Sequence, residues 1–312
     1  MRVLFAGSPD FAVPSLEAVH ARLGVCGVLT CCSHPAGRGR AETCSAVAAA
    51  SAALGLTVIE ADSMGKAVRE RIAALKPDIL AVAAYGRIFR RNLLDLFPRG
   101  GINLHPSLLP RHRGPSPVPA AILAGDAETG VTVQRLALRF DTGDVLARAV
   151  TPLRGDETCG GLTDVLSRQG AALLADVLCR LGDGDVPGEP QDETKATYCR
   201  LIRKEDGLVD WTAPAEVIER SVRAYDPWPR AYTRYEGQTL LVLKARAVPG
   251  VEGTGEPGRV TGFSKGVGLF VQTGAGLLAV EALQLQTKKP LDARAFLNGN
   301  PRFVGSRLGG NP

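Results

Sequence analysis

The 312-residue chain is 45% hydrophobic and 22% charged, the make-up of an ordinary globular protein long enough for two cores. No apolar run reaches the roughly 18–20 residues of a membrane span, and the N-terminus enters a strand without a secretory apolar core, so a cytoplasmic protein is expected. The formal net charge of +5 permits an anionic partner without requiring one, and seven cysteines and four histidines at irregular spacing argue against a disulfide framework and a zinc site.

Residues 2–7 read as a buried strand ending in Gly7. Ser8-Pro9-Asp10 then offers a helix start, with serine as cap and proline in the first turn. Val25–Thr30 is a second strand, and this β-α-β opening predicts a right-handed parallel unit. A dinucleotide enzyme would carry Gly-x-Gly-x-x-Gly at the first turn; the single Gly7 argues against such a cofactor. The loop 31–43 holds Pro35, Gly37, Arg38, Gly39 and Arg40 without apolar periodicity. Its composition suits a solvated surface loop, and its length suits a functional one. Helices are predicted over 48–54 and over 63–75, the latter opened by Ser63. A short strand is predicted over 56–60. Residues 77–85 form a continuous apolar strand, as expected where both faces are covered. A short helix over 92–98 ends before proline.

The stretch Gly101-Ile-Asn-Leu-His105 follows. On an extended strand Asn103 and His105 point to the same face, and a proline-bracketed loop, Pro106 to Pro110, leads away from them. Two polar side chains at a strand end suit the carboxyl edge of a parallel sheet, where open α/β folds place ligands. They equally suit a buried strand end where Asn103 and His105 satisfy loop backbone. The run from Gly130 to Phe140 reads as another strand, closing at Asp141-Thr-Gly-Asp144. Asp141 can orient and charge-stabilise His105 while Asn103 donates to a developing oxyanion. Asp144 is a competing carboxylate, Ser107 suits bonding of loop backbone, and His112 reads as exposed.

A helix begins over 117–123, residues 145–152 pair back as an edge hairpin, and residues 161–181 form a long amphipathic helix with Leu162, Leu166, Leu173 and Leu174 on its apolar stripe. The breaker cluster 182–190 is the best boundary. It divides the chain into a first domain 1–188, a linker 189–207 carrying Lys195, Arg200, Arg203 and Lys204, and a second domain 208–312. In the last, a helix over 214–225 precedes short β-rich runs at the spacing of a small barrel or sandwich, and a final helix is predicted over 291–297.

Asn103-Leu-His-Pro-Ser-Leu-Leu-Pro110 followed by Asp141-Thr-Gly143 resembles the motif pair of the folate-dependent formyltransferases. Phe5-Ala-Gly-Ser-Pro-Asp-Phe11, Pro35-Ala-Gly-Arg-Gly39, Ala84-Tyr-Gly86, Gly125-Asp-Ala-Glu-Thr-Gly-Val131 and Asp226-Pro-Trp-Pro229 narrow the resemblance to members that formylate methionine on charged initiator tRNA, over nearly the whole chain. The resemblance implies a Rossmann-like, mostly parallel α/β formyltransferase domain and a C-terminal OB-like β-barrel that binds tRNA. It implies 10-formyltetrahydrofolate as formyl donor, no metal, initiator methionyl-tRNA as partner, and a monomer. Asn103, His105 and Asp141 take the catalytic positions. Folate would lie along Ser107, Leu108, Leu109 and Pro110 and the Tyr85-Gly86 strand end. The basic loop would meet the acceptor stem, with Arg38 at the family's key arginine and Arg40 beside it, and Arg203 and Lys204 would extend the basic path. Two other readings stay open: a formyltransferase acting on an amino-sugar nucleotide, and a non-catalytic RNA-binding α/β protein.

Overall fold

The computed structural model describes residues 1–36, 41–250 and 255–309. The chain forms two compact units. The first comprises Met1–Pro117, Glu128–Pro152 and Thr163–Arg200; the second comprises Val118–Ala127, Leu153–Leu162 and Leu201–Pro312. Among the described residues no helix is long and apolar enough to cross a membrane.

In chain order the first part of the sequence forms β1 (Val3–Gly7), α1 (Val13–Leu23), β2 (Val25–Thr30), β3 (His34–Ala36), β4 (Ala41–Thr43), α2 (Ala46–Ala53), β5 (Val58–Glu60), α3 (Lys66–Ala74), β6 (Ile79–Ala83), α4 (Arg91–Leu94), β7 (Gly101–His105), α5 (Pro117–Ala124), β8 (Glu128–Arg135), β9 (Val145–Pro152) and α6 (Cys159–Asp183). Seven strands make one sheet in the order β5-β2-β1-β6-β7-β8-β9, with β3 and β4 in a separate two-stranded ladder. The strands from β5 to β7 run parallel, whereas β8 runs antiparallel to both of its neighbours, β7 and β9. Strand order reverses between β1 and β6, so the carboxyl ends of β1, β6 and β7 open at the topological switch point, the place where α/β sheets bind ligands.

The pattern of burial explains the parallel half. β1 and β6 are buried along their whole length, and their runs Val-Leu-Phe-Ala-Gly and Ile-Leu-Ala-Val-Ala are apolar on both faces. Leu4, Leu29, Ile59, Leu80 and Val82 pack with Ile72 of α3 and with Leu93 and Phe97. Each such buried side chain contributes about 1.5–3 kcal/mol. Leu16 and Val19 of α1 and Leu166, Leu174 and Leu178 of α6 are likewise buried.

Three local expectations are corrected. Ser8 does not cap α1; its hydroxyl accepts from the Cys31 amide at 3.2 Å, tying the turn after β1 to the end of β2. The chain instead enters α1 through a 3-10 turn at Asp10–Ala12, and Pro14 occupies the first turn. The helix expected to open at Ser63 starts at Lys66 after Gly65, with no side-chain cap. The strand expected to reach Phe140 ends at Arg135, because the polypeptide turns away there and Asp141 lies in an irregular segment.

The second unit holds α7 (Ala215–Ala224), β10 (Ala231–Tyr235), β11 (Gln238–Val248), β12 (Val260–Ser264), β13 (Gly268–Gln272), β14 (Leu277–Leu285), β15 (Leu291–Asp292) and α8 (Ala293–Gly299). Its sheet is antiparallel in the order β10-β11-β14-β13-β12, with β15 paired to β14. Ile218 and Val222 of α7 share a core with Leu240, Val242, Leu278, Val280, Phe296 and Phe303. Trp211 closes this core, its Nε1–H donating to the Thr233 hydroxyl at 2.9 Å. The last helix starts later than predicted because Leu291 and Asp292 pair with β14 and Asp292 caps it, accepting from the Ala295 amide at 2.8 Å.

Candidate active site

Strand β7 carries Asn103 and His105, and its antiparallel neighbour β8 sets Gln134 opposite Asn103 and Thr132 opposite His105. Side chains at alternate positions share a face and directly paired residues are neighbours across it, so four polar side chains stand together at this edge. Thr132 fastens the loop that follows β7: its hydroxyl donates to the Ser107 carbonyl at 2.6 Å and accepts from the Leu109 amide at 3.1 Å. The Ser107 hydroxyl donates to the Arg111 carbonyl at 2.6 Å, the backbone-bonding role its type suggests. Arg148 donates to the Leu109 carbonyl at 3.2 Å, and the Thr197 amide to that of Pro110 at 3.2 Å. Ser107 and Leu109 are buried, while Leu108 and Pro110 are half-buried. A Cβ at Gly130 would stand 2.1 Å from the Ala149 carbonyl oxygen, so the close approach of β9 to β8 there requires glycine, and it would also meet a Leu108 methyl of the loop at 2.7 Å.

His105 is nearly enclosed. Its Nε2 lies 2.9 Å from the His112 carbonyl oxygen; a carbonyl only accepts, so Nε2–H is the donor in this arrangement. Its Nδ1 lies 3.6 Å from Asp141 Oδ1, with 6% and 11% of the two side chains exposed. Asp141 adopts a left-handed backbone, φ 53°. Its carboxylate is held from two sides: Oδ2 accepts from the Gly114 amide at 2.8 Å and Oδ1 from Gln134 Nε2 at 3.0 Å. The glycine of Asp-x-Gly has a steric cause, since a Cβ at Gly143 would sit 1.8 Å from the Arg135 carbonyl oxygen. Asp144 is exposed, and its carbonyl accepts from the Arg135 amide at 2.9 Å, so it orders the turn while Asp141 faces the imidazole. Asn103 is half-buried, and among the described residues its amide has no hydrogen-bond partner. His112, expected to be exposed, is buried with φ 56°, and its amide donates to Thr197 Oγ1 at 2.8 Å. Its backbone is the seat for the His105 ring.

Residues that sequence patterns did not single out complete this arrangement. Arg113 is fully buried. Its guanidinium donates to Gln191 Oε1 at 2.8 and 3.1 Å, to both Glu193 carboxylate oxygens at 2.8 and 3.0 Å, and to the Tyr198 hydroxyl at 2.9 Å. The hydrogen bonds to Glu193 and Tyr198 raise the Arg113 pKa further above its ordinary value, and the bond from Arg113 holds the Glu193 carboxyl below its ordinary range. Gln191 Nε2 donates to the Asp141 and Gly143 carbonyls at 2.9 and 2.7 Å and to Gln134 Oε1 at 3.2 Å. Residues of the sequence-defined linker up to Arg200 therefore pack with the first unit. Only Gln134 had a visible signal: it and Thr132 alternate with Val131 and Val133 along β8, at the period that also separates Asn103 from His105. Among the other expected site residues, Arg38 and Arg40 lie outside the described residues. Arg203 and Lys204 are exposed at the start of a 3-10 turn, Lys204–Gly207. Tyr85 is core, its hydroxyl donating to the Ala61 carbonyl at 2.8 Å.

An α/β sheet that brings an amide, an imidazole and a fixed carboxylate together beside one strand end has the groups that acyl transfer requires. The profile of the family described as Formyl transferase matches residues 1–178, and that of Formyl transferase, C-terminal domain, matches residues 201–301. The chain belongs to the formyl transferase family. Relatives matching it almost end to end include the methionyl-tRNA formyltransferase of Chloroflexus aurantiacus, 46% identical over 96% of this chain and 97% of that protein. That of Treponema denticola is 41% identical over 97% of this chain and 98% of that protein. Among solved structures, the N-formyltransferase of Helicobacter canadensis in complex with folinic acid and dTDP-3-aminofucose superposes with a TM-score of 0.66. It is 17% identical, over 93% of this chain and all of that one, a likeness of fold alone.

Proposed function

We propose that this chain transfers the formyl group of 10-formyltetrahydrofolate to the free amino group of methionine on initiator methionyl-tRNA, as a cytoplasmic monomer. The observation that carries the chemistry is the His105–Asp141 pair beside Asn103 at the end of β7. The near-complete match to methionyl-tRNA formyltransferases selects the acceptor.

The residues fit a folate donor. The Asn103 amide, without a hydrogen-bond partner among the described residues, can meet the formyl oxygen, and the half-buried Leu108 and Pro110 offer apolar surface on a loop already tied down by Thr132, Arg148 and Thr197. The donor supplies an activated formyl group. The chain's part is to manage charge and protons. As the methionyl amine bonds to the formyl carbon, the oxygen gains negative charge, and the Asn103 NH2 donates to it. His105 Nε2–H is committed to the His112 carbonyl, which leaves Nδ1 as the position whose protonation changes. Nδ1 takes the proton that the amine sheds and returns it to the nitrogen that leaves. Protonated there, the ring is an imidazolium facing Asp141, whose carboxylate is held for that contact by Gln134 and Gly114.

The acceptor arm is anionic. We assign its clamp to Arg38 and Arg40 of the 31–43 loop, which leaves the sheet at the carboxyl end of β2, the edge that also carries His105. Arg203 and Lys204 extend the basic path, and the C-terminal unit adds tRNA contacts. The test is transfer from 10-formyltetrahydrofolate with charged initiator tRNA and an amino-sugar nucleotide run side by side. Transfer to the tRNA alone is expected; preference for the sugar nucleotide would overturn the acceptor, and no transfer to either would overturn the reaction.

A further inference from the structure

Asp141 occupies a backbone conformation that non-glycine residues rarely adopt, inside a turn so tight that Gly143 has no room for a Cβ. Such a turn keeps its shape when surrounding groups over-determine it. The carboxylate itself is bonded by Gln134 and Gly114, and the side chain of Gln191 bonds the backbone of the turn at Asp141 and Gly143. Its amide spans the turn, one nitrogen reaching the Asp141 carbonyl at 2.9 Å and the Gly143 carbonyl at 2.7 Å. That same nitrogen lies 3.2 Å from Gln134 Oε1, fixing the orientation of the amide whose other end holds Asp141 Oδ1. The amide of Gln191 is fixed in turn, because its oxygen accepts two hydrogen bonds from the fully buried Arg113. Arg113 adjoins His112, whose carbonyl seats the His105 ring. From Arg113, the next residue after the seat of the imidazole, a chain of hydrogen bonds thus runs through Gln191 and Gln134 to the carboxylate that faces the ring.

We propose that Gln191 is a positioning residue: it holds the Asp141 turn, and through Gln134 the Asp141 carboxylate, in register with Nδ1 of His105. The inference rests on the formyl-transfer reading above. It accounts for a glutamine fifty residues along the chain from the turn it braces, bonded on its oxygen side by a cation and on its nitrogen side by three acceptors, so that only a side chain with both a donor and an acceptor end serves.

The test compares the full-length wild-type protein with Gln191→Glu and Gln191→Met. Gln191→Glu keeps an acceptor for Arg113 and loses every hydrogen bond to the turn; Gln191→Met is uncharged, of similar length, and loses both ends. Formyl transfer by wild type is measured first, and its absence would overturn the reading on which this inference stands. Given activity, both variants should lower kcat by about 10- to 100-fold, the scale on which a misplacement of about 1 Å acts. KM for folate and for charged tRNA should stay within about 2-fold. The pH–rate profile should move toward that of Asp141→Asn. Combining either variant with Asp141→Asn should add little, because both would remove the same interaction. Wild-type kcat in a folded variant, a loss confined to Gln191→Glu, or a loss that multiplies with that of Asp141→Asn would each overturn the proposal. So would a lowered melting temperature with kcat untouched. Should Gln191→Glu not fold, Gln191→Met carries the comparison alone.

Discussion

Gln134 Nε2 and Asp141 Oδ1 are 3.0 Å apart, so the carboxylate facing His105 is oriented by a strand neighbour of Asn103. The gap from that oxygen to Nδ1, 3.6 Å, is wider than a hydrogen bond. On the proposed mechanism this contact tightens when substrate binds, and the carboxylate is already aimed at the ring.

Asn103→Ala and His105→Ala should each lower kcat by about 100-fold or more, the range for an oxyanion donor or a general acid–base group. Circular dichroism should report a folded protein in both cases. Near-normal turnover of folded His105→Ala would remove the imidazole from the mechanism.

Asp141→Asn keeps the shape of the side chain and removes the charge opposite Nδ1. Turnover should fall and the pH optimum should move, whereas Asp144→Asn, altering an exposed group, should behave like wild type. The two variants exchange predicted behaviour if the wrong carboxylate has been assigned, and a pH–rate series separates them.

Gly143→Ala forces a methyl against the Arg135 carbonyl at a separation no folded backbone tolerates, so the turn must shift. A stability loss of about 1–3 kcal/mol, the usual range for forced overpacking, should accompany a fall in kcat. Denaturant melts and steady-state rates on the same preparation check both.

Hydrogen bonding to Arg113 holds the Glu193 carboxyl below its ordinary value of 4.5. A depressed carboxylate contributes stability that is fully present above the unfolded value and is lost as pH falls through the folded one. Glu193→Gln should therefore melt below wild type at neutral pH, with the difference closing as the pH drops below 4.5. Arg113→Met should cost more, because the same guanidinium also holds Gln191 and Tyr198. A constant difference between wild type and Glu193→Gln across the pH series would count against the ion pair.

Arg38→Ala should leave folate affinity intact and strongly reduce kcat/KM for charged tRNA. Charge reversals at Arg203 and Lys204 should act more weakly and be relieved at low salt, since phosphate contacts release counterions. Formylation at two salt concentrations, with folate titration in parallel, distinguishes the two effects. Wild-type kcat/KM in Arg38→Ala would return the acceptor question to the amino-sugar nucleotide.

What the chain alone determined follows from short-range periodicity. The apolar runs of β1 and β6 announce strands covered on both faces, and the alternation of Asn103 and His105 places both on one face of β7. Asp141 was legible through its motif, and the alternation of Thr132 and Gln134 with Val131 and Val133 in β8 was there to be read. The tertiary structure decided the rest. It ended β8 at Arg135, bent Asp141 into a left-handed turn, buried His112 under the imidazole, and used Ser8 to brace β2 where a helix cap was expected. Arg113 and Gln191 carry no local signal, because their partners lie far along the chain and a hydrogen bond across such a span has no period. A lone arginine in a basic, polar stretch reads as solvated until the fold encloses it; here its charge is met by Glu193 and its remaining donors by Gln191 and Tyr198, and burial becomes tolerable only because all of them converge.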